Sequence, residues 1–137
     1  MDLDHLHHLM QLKARRSDQE LARIAAREAH LRAELSRLRT LAMETYAQSA
    51  QDAPLRAIGA DVVWLKWLSS SQKRLGAELA QTLARKDAHM AKHKRAYGTR
   101  DVSRALADAH HDERARQRMN QQLSATLSGV FIKRDTQ

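Results

Sequence analysis

Residues 21–42 read LARIAAREAHLRAELSRLRTLA, and apolar side chains return there at Leu21, Ile24, Leu31, Leu35, Leu38 and Ala42. These intervals alternate between the a and d places of a heptad, and most of the positions between them are arginine, glutamate or alanine. That periodicity predicts a coiled-coil helix with one buried seam and a solvated flank. Stepping outward by sevens extends the d series to Leu3, Met10, Ser17, Ile24, Leu31, Leu38 and Thr45. The a series becomes His7, Ala14, Leu21, Glu28, Leu35 and Ala42, so the seam is best between Leu21 and Ala42 and imperfect elsewhere. Positions 1–50 hold neither glycine nor proline. The expectation is one helix from about residue 3 to about residue 49, roughly 70 Å long at 1.5 Å per residue.

The pattern stops in QSAQDAPLRAIGAD, residues 48–61. Asp52 and Asp61 are each able to cap a helix start. Pro54, the single proline of the chain, is tolerated in a first turn and not in a helix interior. A loop over about 50–60, with room for one short helical turn, reverses the chain. A second arm follows from about 61 to about 127, striped by Leu65, Leu68, Leu75, Leu79, Leu83 and Met90. This stripe drifts from strict heptads, as where a two-stranded coil opens to accept a third contact. Gly98 marks either a bend in one long helix or a break near 98–101, with Thr99 or Asp101 capping the next segment. Beyond Val102, Leu106, Met119, Leu123 and Leu127, the pair Ser128–Gly129 ends the arm, leaving a short tail, 128–137, with an apolar trio from Val130 to Ile132. The fold class expected is therefore all-α: a long antiparallel two-helix coiled-coil hairpin, its seam between Leu21 and Ala42 facing the stripe from Leu68 to Met90.

Composition agrees. Of 137 residues 23 are alanine, four are glycine and none is cysteine, which favours long helices with a thin core and excludes disulfide and thiolate chemistry. No apolar run is long enough to cross a membrane, and MDLDHLHHLM at the start lacks the basic and apolar blocks of a secretory signal, so a cytosolic location is the default. The net charge is +8 and it is uneven. Positions 51–100 carry ten Lys/Arg against four Asp/Glu, whereas the segments on either side are each close to balance at +1.

Four features invite a functional reading. Trp64 and Trp67, three apart in DVVWLKWLSSSQKRL (61–75), lie near one helix face just after the turn. They either lock the register of the hairpin near Leu41 and Tyr46 or meet a partner, since tryptophan is favoured in binding hot spots. With rings roughly 60° apart around the helix, one is expected to be buried and one exposed. Trp67 is the candidate for the core, because Leu68, Leu75 and Leu79 continue near its face. The basic run ARKDAHMAKHKRAYGTR (84–100) is either a solvated basic face or a docking segment that supplies Arg85, Lys86, Lys92, Lys94, Arg95 and Arg100 as contacts for acidic protein or for phosphate. It lacks interleaved aromatics beyond Tyr97, which favours protein. Eight histidines raise the question of metal. His89 and His93 have helical spacing for zinc, but cations at 92, 94 and 95 oppose it and no Glu-x-x-His pair is present. Solvated helix-face histidines, no metal and no cofactor are expected. No phosphate-binding glycine loop or nucleophile motif occurs, so the chain is read as non-enzymatic.

The long first helix, short break and longer return, together with WLKWLSSSQKRLGAELAQTLA (64–84) and RALADAHHDERARQR (104–118), resemble the FliJ family of flagellar type III export proteins and their YscO-type injectisome counterparts. The resemblance implies an antiparallel coiled coil similar to the central stalk of rotary ATPases. It implies a protein without a nucleotide site of its own that inserts into a hexameric export ATPase, contacts the export-gate membrane protein and escorts export chaperones, in the cytoplasm or at the inner face of the membrane. The basic middle segment departs from that pattern. A small basic helical protein that binds nucleic acid is the alternative expectation.

Overall fold

A computed structural model of the chain describes residues 2–135, apart from the side chain of Leu55. It contains α1 (Leu3–Gln51), α2 (Ala53–Ile58) and α3 (Ala60–Asp135), with no strand among the described residues. The two long helices pack against each other, so the fold is an all-α helical hairpin. The buried positions on α1, Ala14, Ser17, Leu31, Leu35 and Leu38, all fall on the two expected heptad series, while half-buried Leu6, Gln11, Glu34 and Leu41 lie beside them.

The first compact unit is Arg16–His93. It contains the reversal. Asp52 precedes α2, Pro54 falls in the first turn of that helix, and Gly59 adopts φ of 74° between α2 and α3. That left-handed value suits glycine, and the Gly59 amide closes the helix end by donating to the Arg56 carbonyl at 3.1 Å. The expected loop over 50–60 is thus mostly helix. Leu31 and Leu68 are each 1% exposed, and Leu35 and Leu38 are buried with them. Burying a leucine completely is worth about 2 kcal/mol, so these side chains hold this part of the coil.

The second unit joins the two ends of the chain, up to Arg15 and from Lys94 onward. Asp2 caps α1 by accepting from the Asp4 amide at 3.0 Å. Buried Ala14, Ala96, Ser103 and Ala107 form a narrow seam of small residues. His7 Nδ1 lies 3.1 Å from the Ser103 hydroxyl, and His111 Nε2 lies 2.8 Å from a carboxylate oxygen of Asp4. All described residues of α3 from Asp108 onward are exposed.

Of the two alternatives at Gly98, one long helix is found, since α3 is helical through it. Two expectations for the second arm need correction. Ser128 and Gly129 do not end it: the helix continues to Asp135, with Lys133 and Arg134 in the last turn, where cations suit the helix dipole. Of the expected tail, Thr136 and Gln137 lie outside the described residues. Finally, the seam of α3 does not drift. A heptad alternation runs through 65, 68, 72, 75, 79, 82, 86, 89, 93, 96, 100, 103 and 107, with buried Ser71 and half-buried Gly76, Glu78, Leu83, Met90 and Tyr97 beside it. The leucines wander off it because, from 82 onward, the seam is occupied by Thr82, Lys86, His89, His93, Ala96, Arg100, Ser103 and Ala107.

Candidate functional site

Trp64 and Trp67 each stand one position before a seam residue, Leu65 and Leu68. Their rings therefore flank the seam instead of entering it, and they stack on each other with centroids 5.0 Å apart and planes at 15°. Trp64 is 42% exposed and Trp67 52%. The expectation that Trp67 is core and Trp64 peripheral is overturned, because a ring stacked on its neighbour satisfies part of its apolar area without displacing a leucine. Trp64 is the better anchored of the two. Its Nε1–H donates to the Thr45 hydroxyl at 2.9 Å, while that hydroxyl donates to the Leu41 carbonyl at 2.8 Å. The link to the first arm thus runs through Thr45, and Tyr46, the expected neighbour, is largely exposed.

Toward the turn in sequence, Met43, Tyr46, Ile58, Val62 and Val63 are also exposed, on several helix faces. A pocket of about 130 Å³ lies under Trp64, lined by Thr45, Gln48, Ser49, Ala60 and Asp61. Asp61 Oδ1 is buried there without a hydrogen-bond partner among the described residues. A pocket of that size and polarity has room for a few waters.

The histidine expectation also changes. His89 is buried, and His7 and His93 are half-buried, so these three are seam residues and not solvated ones. His89 Nε2–H donates to the Ser17 carbonyl at 3.0 Å, and the Ser17 hydroxyl sits 3.2 Å from His93 Nδ1. Asp18 and Glu20 approach His93 Nδ1 and His89 Nδ1 at 3.7 and 3.6 Å. Among the described residues no group of three or more His, Asp or Glu side chains is arranged to hold a metal.

The basic residues divide by direction. Lys86 occupies a seam position and donates to Glu28 at 2.8 Å, while Arg32 donates to the other Glu28 oxygen at 3.0 Å. The Lys86 hydrogen bond, then that of Arg32, holds the Glu28 carboxyl below the usual carboxylate range. Lys86 is thereby a structural partner of α1. In the same unit Arg85 and Lys92 are exposed. In the other unit Lys94 and Arg95 are exposed, whereas Arg100 lies over the Tyr97 ring at 4.3 Å and pairs with Asp101 at 2.8 Å. None of these residues belongs to the turn.

Sequence reading missed the layers of Ser17 with His89 and His93 and of Glu28 with Lys86. Carrying the heptad count from Leu65 through α3 would have found them. No known protein family, curated protein or solved structure matches this chain. No helix of the described residues is long and apolar enough to cross a membrane.

Proposed function

We propose that this chain is a non-enzymatic coiled-coil interaction protein that docks to protein partners through its aromatic turn end, in the manner of the type III export stalks it resembles. The observation that carries this reading is the stacked, half-exposed Trp64–Trp67 pair beside the turn. Two adjacent tryptophans offer a large, rigid apolar surface that loses little conformational freedom on binding. The partners implied are a hexameric export ATPase, the export-gate membrane protein and export chaperones, met in the cytoplasm or at the inner membrane face. The test is titration of the protein with an export ATPase, followed by tryptophan emission. Binding that shifts the emission, and that a Trp64→Ala/Trp67→Ala variant of unchanged helicity lowers at least about tenfold, supports the reading. Equal binding by the variant, or none by the native chain, overturns it.

A second reading rests on Arg85 and Lys92, which are seven residues apart on one face of α3 and exposed within Arg16–His93. Cations placed along a helix, and not gathered at the turn, suit a phosphate backbone. A gel shift on duplex and single strands at physiological salt decides. Tight binding lost in Lys92→Gln/Lys94→Gln/Arg95→Gln favours nucleic acid. Loss of a protein complex in the same variant, without any gel shift, favours docking to acidic protein.

A further inference from the structure

We propose that the last exposed stretch of α3 is a self-association surface, on which residues 112–134 of two copies pair antiparallel about Leu123. Met119 is 62% exposed, Leu123 58%, Leu127 52% and Val130 54%. They share one helix face with Arg116, and the face is bounded by Asp112 and Arg134. The intervals along it, from 112 through 116, 119, 123, 127 and 130 to 134, are the same read from either end. An antiparallel copy laid on this face therefore brings Leu123 onto Leu123 and Met119 onto Leu127 with no change of phase. The same alignment sets Asp112 opposite Arg134 and Glu113 opposite Lys133. It sets Arg116 opposite Val130, where the arginine stem covers the valine and the guanidinium stays in water.

Charge fixes the direction. A parallel copy in register would oppose Asp112 to Asp112, Arg116 to Arg116 and Arg134 to Arg134, and like charges across a helix pair disfavour that arrangement. The overlap spans roughly 33 Å at 1.5 Å per residue, a contact at the small end of specific interfaces. The association is accordingly weak and reversible. This proposal is independent of the tryptophan surface, since none of its residues belongs to the turn end.

The absence of cysteine from the native chain allows an unambiguous test. Full-length Arg116→Cys and Val130→Cys chains, mixed and mildly oxidised, are expected to cross-link to each other and not to themselves. Each chain cross-linking to itself would indicate parallel pairing and overturn the proposal. Sedimentation of the unmodified chain is expected to show a monomer–dimer equilibrium. Leu123→Asp weakens that equilibrium at least about tenfold, because symmetry uses the side chain twice. Asp112→Arg alone weakens it, and Asp112→Arg/Arg134→Asp restores it. A strict monomer at all soluble concentrations, a dimer indifferent to Leu123→Asp, or a double charge reversal no better than the single one would each sink the idea. Helicity by circular dichroism confirms that every variant is folded, as expected for exposed positions.

Discussion

Within Arg16–His93 the same two helices are joined in two chemically different ways. Near the turn, Leu31, Leu35, Leu38 and Leu68 exclude water by apolar area. Farther from the turn, the heptad places also hold Ser17, Glu28, Lys86, His89 and His93, which meet through hydrogen bonds and one ion pair, and Thr82, whose hydroxyl donates to the Glu78 carbonyl of its own helix. The leucine layers supply most of the free energy, since a typical hydrogen bond nets only about 1 kcal/mol. The polar layers supply discrimination. A slip of one heptad would leave Glu28 facing His93 or Leu79 and Lys86 facing a leucine, which strands a charge in the seam. Leucine layers alone would tolerate such a slip at a smaller cost.

The comparison breaks most completely at Leu31. Leu31→Asp places an unpaired carboxylate where the leucine is 1% exposed, and a loss above about 4 kcal/mol is expected. Circular dichroism reads it as a sharp fall in helicity, and unchanged melting would mean that the leucine layers are not the chief support. The polar layer responds more mildly. Ser17→Ala removes a hydroxyl shared by His89 and His93 and is expected to cost about 1 kcal/mol. The paired replacement Ser17→Leu/His89→Leu should instead raise the melting temperature, by about 4 °C or more, while permitting alternative alignments that cysteine cross-linking detects.

Acid sharpens the same contrast. Lys86 and Arg32 hold the folded-state acidity of Glu28 below the usual range. The stability this carboxylate contributes is present above the ordinary glutamate value, about 4.3, and is lost as pH falls through its lower folded value. Denaturant melts between pH 6 and pH 3 should show that loss in the native chain and a smaller one in Glu28→Gln. Equal acid sensitivity in both would assign the effect to other carboxylates. The smallest effect is expected at the rim. Trp64→Phe gives up the bond to Thr45, at about 1 kcal/mol or less, and Trp67→Phe changes melting by about 0.5 kcal/mol at most. Iodide should quench both rings, and strong protection of either would place it in the seam.

Much of this was legible in the sequence. The first helix, its two heptad series and the reversal at Asp52, Pro54 and Gly59 follow from spacing and from residues with restricted backbones. The return arm was harder to read, because leucine was the guide. Leu83 and Met90 sit beside the seam, while Lys86, His89 and His93 sit in it, so hydrophobicity pointed one or two residues astray. Ser128 and Gly129 looked like a stop because each disfavours helix a little, but one glycine costs only about 1 kcal/mol against alanine. The tryptophans mislead for a related reason. Their size argues for the core, whereas their position one residue before the seam argues for the flank, and position prevails.

One consequence of the α3 segment beyond Ala107 concerns time. Its backbone amides rely on helical bonds alone, whereas those of the preceding stretch share the cooperative opening of a packed pair. One continuous helix should therefore exchange its amide hydrogens for deuterium in two regimes: slow before Ala107, and rapid after it in dilute solution.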